Sequence, residues 1–209
     1  MNKASVWLGI IIVAIVLILL GGCAGYNRLV KLDQSVQSSW AQVQNNYQRR
    51  ADLVPNLVKT VSGAANFERT VLNEVVEARS RVGQIQLPNA PDSPEKLKQF
   101  DQAQSQLSSA LSRLLVVVEK YPELKASANF RDLQAQLEGT ENRIAVARRD
   151  FNEAVRAYNT AIKSIPWVFF AGALGFHPKP YFEATAGSEK PPEVNFDFGK
   201  KPSPAQESK

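Results

Sequence analysis

The residues best suited to chemistry are charges set on or beside apolar seams. Arg49, Arg50 and Asp52 stand together in one segment, and Glu141, Asn142, Arg143, Arg148 and Arg149 in another. Glu141 and Arg148 fall on positions of an otherwise apolar helical stripe, where a charge is costly unless paired. One use is an interhelical network, in which Glu141 or Asp52 meets an arginine and sets helix register. Another is a small site, lined by arginines, for an anionic ligand or a partner. Catalysis by Glu141 and Asp52 as paired carboxylates is the weakest use.

The remaining inventory removes most familiar active sites. Cys23 is the one cysteine and His177 the one histidine, so neither an internal disulfide, a Cys/His metal cluster nor a His-based triad can be built. A di-metal bundle would want Glu-x-x-His motifs on facing helices, and His177 lies near the C-terminal end beside Pro178. No Gly-rich phosphate loop and no nucleophile elbow is present. The expectation is a chain that is not an enzyme, with no catalytic residue, no metal and no cofactor. The formal net charge of +5 is spread out, without a basic stripe interleaved with aromatics, which argues against nucleic acid.

The elements that would position the charges are helices. Leu97, Phe100, Gln104, Leu107, Leu111, Leu114, Val118 and Tyr121 step by three and four without a break. Phe130, Leu133, Leu137, Glu141, Ile144, Arg148, Phe151, Val155, Tyr158, Ile162 and Ile165 keep the same rhythm. Upstream, Leu29, Leu32, Val36, Trp40, Val43 and Tyr47, then Val54, Val58, Val61, Ala65, Leu72 and Val75, do likewise, with Trp40 read as core. Such stripes bury one face against partner helices. Pro55 permits two readings: a new helix capped by Asp52, or a continuous helix with a kink. Residues 87–94 hold three prolines and read as a loop, after which Ser93-Pro94 opens a helix. Pro122 ends that helix, Asn129 can cap the last, and Pro166 ends it. The predicted helices are 26–51, 54–85, 94–121 and 129–165.

The N-terminus reads as a membrane anchor. Val6–Leu20 carries no charge, and the run extended to Ala24 approaches the ~20 residues that cross a bilayer. An uncleaved transmembrane helix is one reading. The other is a lipoprotein, since Leu20-Gly21-Gly22-Cys23 resembles the bacterial lipobox, whose cysteine is acylated. Multiple acyl chains give stable anchoring. Both attach the chain to lipid, and the lipobox would place the soluble part outside the inner membrane. Beyond Pro166, the apolar run Trp167–Phe176 is too short to span. It is either a turn capping the bundle end or a patch that touches membrane or partner. From about Ala186 the composition predicts a disordered tail.

Several blocks resemble the LemA family: Tyr26-Asn27-Arg28-Leu29-Val30, Arg49-Arg50-Ala51-Asp52-Leu53-Val54-Pro55-Asn56-Leu57-Val58, Tyr121-Pro122-Glu123-Leu124, Leu137-Glu138-Gly139-Thr140-Glu141-Asn142-Arg143-Ile144, Ala147 to Asn152, Tyr158-Asn159, Gly175-Phe176 and Pro180-Tyr181-Phe182. The resemblance covers about 20–185. It implies a bacterial membrane protein with an N-terminal anchor and a helical-bundle domain, and it carries over no activity and no catalytic residues. The Ser62–Glu68 stretch departs from the family pattern. The expected architecture is all-α: an anchor over 1–25 (transmembrane helix or lipoprotein signal), a long antiparallel four-helix, coiled-coil-like bundle over 26–185, and a disordered tail over 186–209. The expected role is a membrane-anchored scaffold or adaptor of the cell envelope with an envelope-protein partner. The alternative is a ligand-binding sensor using Arg49, Arg50, Asp52, Glu141, Asn142 and Arg148.

Overall fold

A computed structural model describes residues 3–63 and 67–183; within 3–20 it describes side chains only for Trp7 and Ile12. The described residues form five α-helices and no strand: α1 (Lys3–Ser62), α2 (Arg69–Gln84), α3 (Pro94–Val118), α4 (Pro122–Ala126) and α5 (Ala128–Lys163). A single 3-10 turn follows at Trp167–Phe169. At ~1.5 Å per residue, the 60 residues of α1 extend over ~90 Å. The expected tail from Ala186 lies outside the described residues. Among the described residues, no helix is long and apolar enough to cross a membrane.

The helix boundaries correct the predicted ones in the first half. α1 runs through Pro55, the continuous alternative, and stops at Ser62; α2 starts only at Arg69, so 54–85 is not one helix. Proline removes the N–H that would bond the carbonyl four residues back, here that of Ala51. That carbonyl is served from another helix: Arg79 Nε donates to Ala51 O at 2.9 Å. The real stop carries Gly63, a residue that favours helix ends. Downstream, Ser93 caps α3 by accepting from Lys96 N, with Pro94 in the first turn, as predicted. Pro122 does not simply end a helix; it opens the short α4. Ser127 rather than Asn129 caps α5, accepting from Phe130 N at 3.3 Å.

α5 runs antiparallel to α1, since Trp40 meets Phe151 while Arg50 meets Glu141. α2 runs antiparallel to α3, through Glu74–Arg113 and Arg81–Gln106. Phe100 touches Trp40 and Tyr47, and Gln104 and Ser108 meet Arg50, so α3 follows the direction of α1. The apolar stripes bury two cores in series. One gathers Leu29, Val36, Trp40 and Tyr47 with Phe100, Phe151, Val155 and Tyr158. The other gathers Val54, Leu57 and Val61 with Val75, Leu107, Leu114 and Phe130.

Two stripe assignments are wrong by one residue. On α5 the buried positions are Thr140 and Ala147, each next to the Glu141 and Arg148 expected there. The seam takes the small residue and leaves the charge at its edge, where water or a partner can reach it. Ile165, the last member of the predicted stripe, is 81% exposed because α5 stops at Lys163.

Candidate functional site

Between the two cores lies a polar layer built around Arg50. Its side chain is 1% exposed. Nη1 donates to Ser108 Oγ at 2.7 Å and to Glu141 Oε1 at 2.8 Å. Nη2 donates to Gln104 Oε1 at 2.6 Å and to the Gln104 carbonyl at 3.1 Å. Nε is buried with no hydrogen-bond partner among the described residues. The guanidinium lies 5.0 Å from the centre of the Tyr47 ring, a cation–π contact. Three helices thus meet on one cation. The asymmetry is notable physically: the arginine is buried, whereas the Glu141 side chain is 45% exposed. Gln104, the polar member of the α3 stripe, is buried because it is a ligand of this cation.

A second cation sits one layer nearer the N-terminal core. Arg148 Nη1 lies 2.9 Å from Asp101 Oδ1 on α3, and its guanidinium carbon stands 4.4 Å from the Phe182 ring centre. Nη2 donates to the Glu183 carbonyl at 3.3 Å. Burial raises the Tyr47 hydroxyl pKa above the ordinary tyrosine value, opposed by the nearby Arg148 and Arg50 charges.

The other candidate residues do not join these layers. Arg49 is exposed. Asp52 is exposed and accepts from Gln48 Nε2 at 2.8 Å, within its own helix. Asn142 and Arg143 are exposed, and Arg143 Nη2 reaches Thr140 Oγ1 at 3.3 Å. Arg149 is exposed and lies 3.4 Å from Oδ1 of its neighbour Asp150. Cys23 is an exposed free thiol on α1. A groove of about 400 Å³ passes over the Arg50 layer, bordered by Tyr47, Gln48, Arg79 and Gln104. A wider groove of about 1050 Å³ lies at the far end, bordered by Asn56, Lys59, Lys120 and Asn129. Among the described residues, no three His, Cys, Asp or Glu side chains converge to hold a metal ion. Ser108, the hydroxyl in the polar layer, faces a guanidinium, which donates protons and accepts none.

Two sets of positioning residues were missed in the sequence. Gln37, Trp40 and Gln44 recur on one face of α1 and hold the proline-rich loop. Trp40 Nε1 and Gln44 Nε2 donate to Leu87 O at 3.0 and 2.5 Å, while Gln37 Oε1 accepts from Ala90 N at 2.8 Å. On α5, Asn159 accepts from Lys179 N at 2.9 Å and donates to Lys179 O at 2.8 Å. Asn152 does the same to Phe182, both bonds at 2.9 Å. The spacings match: seven helical residues rise ~10.5 Å and three extended residues reach ~10 Å. Each amide side chain mimics a strand neighbour, and Lys179 Nζ adds an ion pair with Asp33 Oδ1 at 2.7 Å. The detectable signal was two asparagines seven apart on a seam of otherwise apolar residues.

The sequence profile of the LemA family matches residues 39–196. The chain is 27% identical over 183 residues to magnetosome protein MamQ 2 of Paramagnetospirillum magneticum, covering 79% of this chain and 67% of that protein. It shows the same identity and coverage against magnetosome protein MamQ of Magnetospirillum gryphiswaldense. It is 26% identical over 159 residues to protein LemA of Metamycoplasma hominis, covering 76% of this chain and 69% of that one. With the family profile matching well over half of its length, this chain belongs to the LemA family.

Proposed function

We propose that the chain is a non-catalytic scaffold or adaptor, anchored by its N-terminal segment in the bacterial inner membrane, whose helical body engages another envelope protein. The carrying observation is the continuity of α1: the backbone is helical from Lys3 to Ser62, so the apolar run 6–20 joins the core residue Leu29 without a hinge. A body joined to an anchor in this way is held at a set distance and direction from the bilayer. The lipobox-like Leu20-Gly21-Gly22-Cys23 supports an extracytoplasmic body, and the exposed Cys23 is available to acylation. In either mode of anchoring, residues 26–183 would form a bundle standing on the membrane.

The Arg50 layer supports a structural use of the charges. Its Nη donors are taken up by Ser108, Gln104 and Glu141. The sensor alternative needs Arg49, Arg50, Asp52, Glu141, Asn142 and Arg148 around one ligand, and Arg49, Asp52 and Asn142 stand apart from Arg50. Crosslinking in native membranes, followed by mass spectrometry, tests the adaptor reading. Reproducible recovery of an envelope protein is expected. Consistent recovery of lipid and self-adducts alone would overturn it.

A further inference from the structure

The segment after α5 folds into an ordered turn that sorts its apolar residues into two sets. Ala171 is buried, and Trp167 and Phe176 are partly buried against the N-terminal core. Ile165, Val168, Phe169, Phe170 and Leu174 point the other way, with 81%, 49%, 73%, 56% and 47% of their surface exposed. The outward set is not a frayed loop. Val168 N bonds Ser164 O at 3.0 Å and Ala171 N bonds Trp167 O at 2.8 Å. The turn closes with Phe176 N on Ala171 O at 2.9 Å and Gly175 N on Gly172 O at 3.1 Å, with Gly175 at φ 84°. That is the bond pair and left-handed residue of a Schellman cap. The backbone is satisfied, and five large apolar side chains are held in the solvent.

Their position identifies what would cover them. Trp167 lies directly on Gly25: a β-carbon there would stand 1.9 Å from its ring. Phe176 packs edge-on against Tyr26, ring centres 5.6 Å apart. The patch is therefore fixed beside residues 25–26 of α1. From Leu20, the end of the apolar run, to Tyr26 the helix rises only ~9 Å. The headgroup region on each side of a bilayer is ~5–8 Å deep. Phe and Leu side chains on an interfacial segment bury ~5–10 Å into the headgroup–acyl boundary. Arg28, Lys31 and Lys163, all exposed, lie within two turns of the patch along α1 and α5, where cations would meet anionic headgroups.

We propose that the turn 165–176 is a second membrane contact: Val168, Phe169, Phe170 and Leu174 insert into the interface of the bilayer that holds α1, with the Arg28, Lys31 and Lys163 cations on the headgroups. This rests on the anchored reading, and it holds equally for a spanning helix and for an acylated Cys23, because both place residue 25 at the membrane edge. Two attachments would remove the tilting freedom of a body hung on one helix.

The test replaces Phe169 by photoreactive benzoylphenylalanine in the full chain, carried in vesicles of phosphatidylethanolamine and phosphatidylglycerol. Val116, 68% exposed near the end of α3, provides the comparison position. It lies roughly 50 Å further from the anchor, at the level of the last turns of α1. Lipid adducts at position 169 should exceed those at 116 by about ten-fold or more if the turn is interfacial. Equal yields, or adducts at 169 with a second copy or with residues 184–209, would overturn the proposal. Retention on the vesicles through an alkaline carbonate wash is read in the same sample and reports the anchor separately. A retained chain without excess lipid adduct at 169 refutes the patch and leaves the anchor standing. A released chain refutes the anchor and, with it, the premise of the second contact.

Discussion

Arg79→Met is the most informative single substitution in the body of the protein. Pro55 deprives Ala51 O of its helical partner, and Arg79 Nε supplies the replacement bond at 2.9 Å from α2. Ala51 is 7% exposed, so its carbonyl has little access to water. A buried acceptor left unsatisfied costs ~1–3 kcal/mol. Arg79 is itself exposed and borders the groove over the Arg50 layer, so a water can partly replace it. The lower part of the range then applies, about 1–2 kcal/mol. For a domain of this size that lowers Tm by about 2–8 °C. The decisive comparison uses Pro55→Ala, which restores the N–H and lets the helix satisfy Ala51 itself. Equilibrium urea unfolding of the four proteins, followed by helical circular dichroism, gives the coupling between positions 55 and 79. Arg79→Met should cost its full amount with Pro55 present and only a few tenths of a kcal/mol in the Pro55→Ala background. Equal costs in the two backgrounds would refute the idea that Arg79 completes α1.

Other perturbations follow from the same geometry. Glu141→Ala leaves the Arg50 charge buried with neutral acceptors alone; because Glu141 is half-exposed, the loss should be about 1–3 kcal/mol, below that for a fully buried pair. A change in unfolding free energy below about 0.5 kcal/mol would show that Glu141 does not neutralise Arg50. Asn159→Ala should abolish the hydrogen-exchange protection of the Lys179 amide, which donates to its Oδ1, while the Phe182 amide held by Asn152 keeps part of its own. Unchanged exchange at Lys179 would contradict the strap. Gly25→Val should displace Trp167 from α1, costing about 1–3 kcal/mol by overpacking and red-shifting tryptophan emission. Tyr158 is pushed up to about 12, first by burial and then by the Asp33 carboxylate. Its folded value lies above the unfolded one near 10, so its contribution is complete below pH ~10 and is lost as pH rises towards 12. Tyr47 is also raised, by burial. Two of the five tyrosines should therefore titrate late in tyrosinate absorbance, and a single transition near the free-tyrosine value would contradict this.

The seams of the helices were legible because core packing imposes a period that composition reveals. Phe100, Leu107, Leu111, Leu114 and Val118 on α3, and Phe130, Leu137, Ile144, Phe151, Val155, Tyr158 and Ile162 on α5, are all buried as the stripes require. The pattern could not place charges within a seam. Glu141 and Arg148 fit the heptad by spacing, yet Thr140 and Ala147 fit it equally well between the same buried Leu137, Ile144 and Phe151, and the seam takes the small residues because a charge is costly to bury. The sequence named Arg50 as one candidate for an arginine meeting Glu141, without separating it from Arg49. Arg50 was one of several charges in its segment, and only the meeting of three helices makes it the buried one. Pro55 was ambiguous since proline breaks a helix unless another group serves the freed carbonyl. That group, Arg79, lies 28 residues away. The straps made by Asn152 and Asn159 were invisible for the same reason, being contacts between a helix face and a segment twenty or thirty residues later.

Attachment to the membrane is the claim on which the rest stands, and it is tested by following the full-length chain in its own cell envelope. Membranes are washed with alkaline carbonate, and the retained protein is analysed by intact mass. The expected result is a chain that stays with the membrane and carries one of two N-termini, an uncleaved one near Met1 or an acylated Cys23. An unacylated chain released by the wash would contradict the anchor and, with it, the scaffold standing on the bilayer.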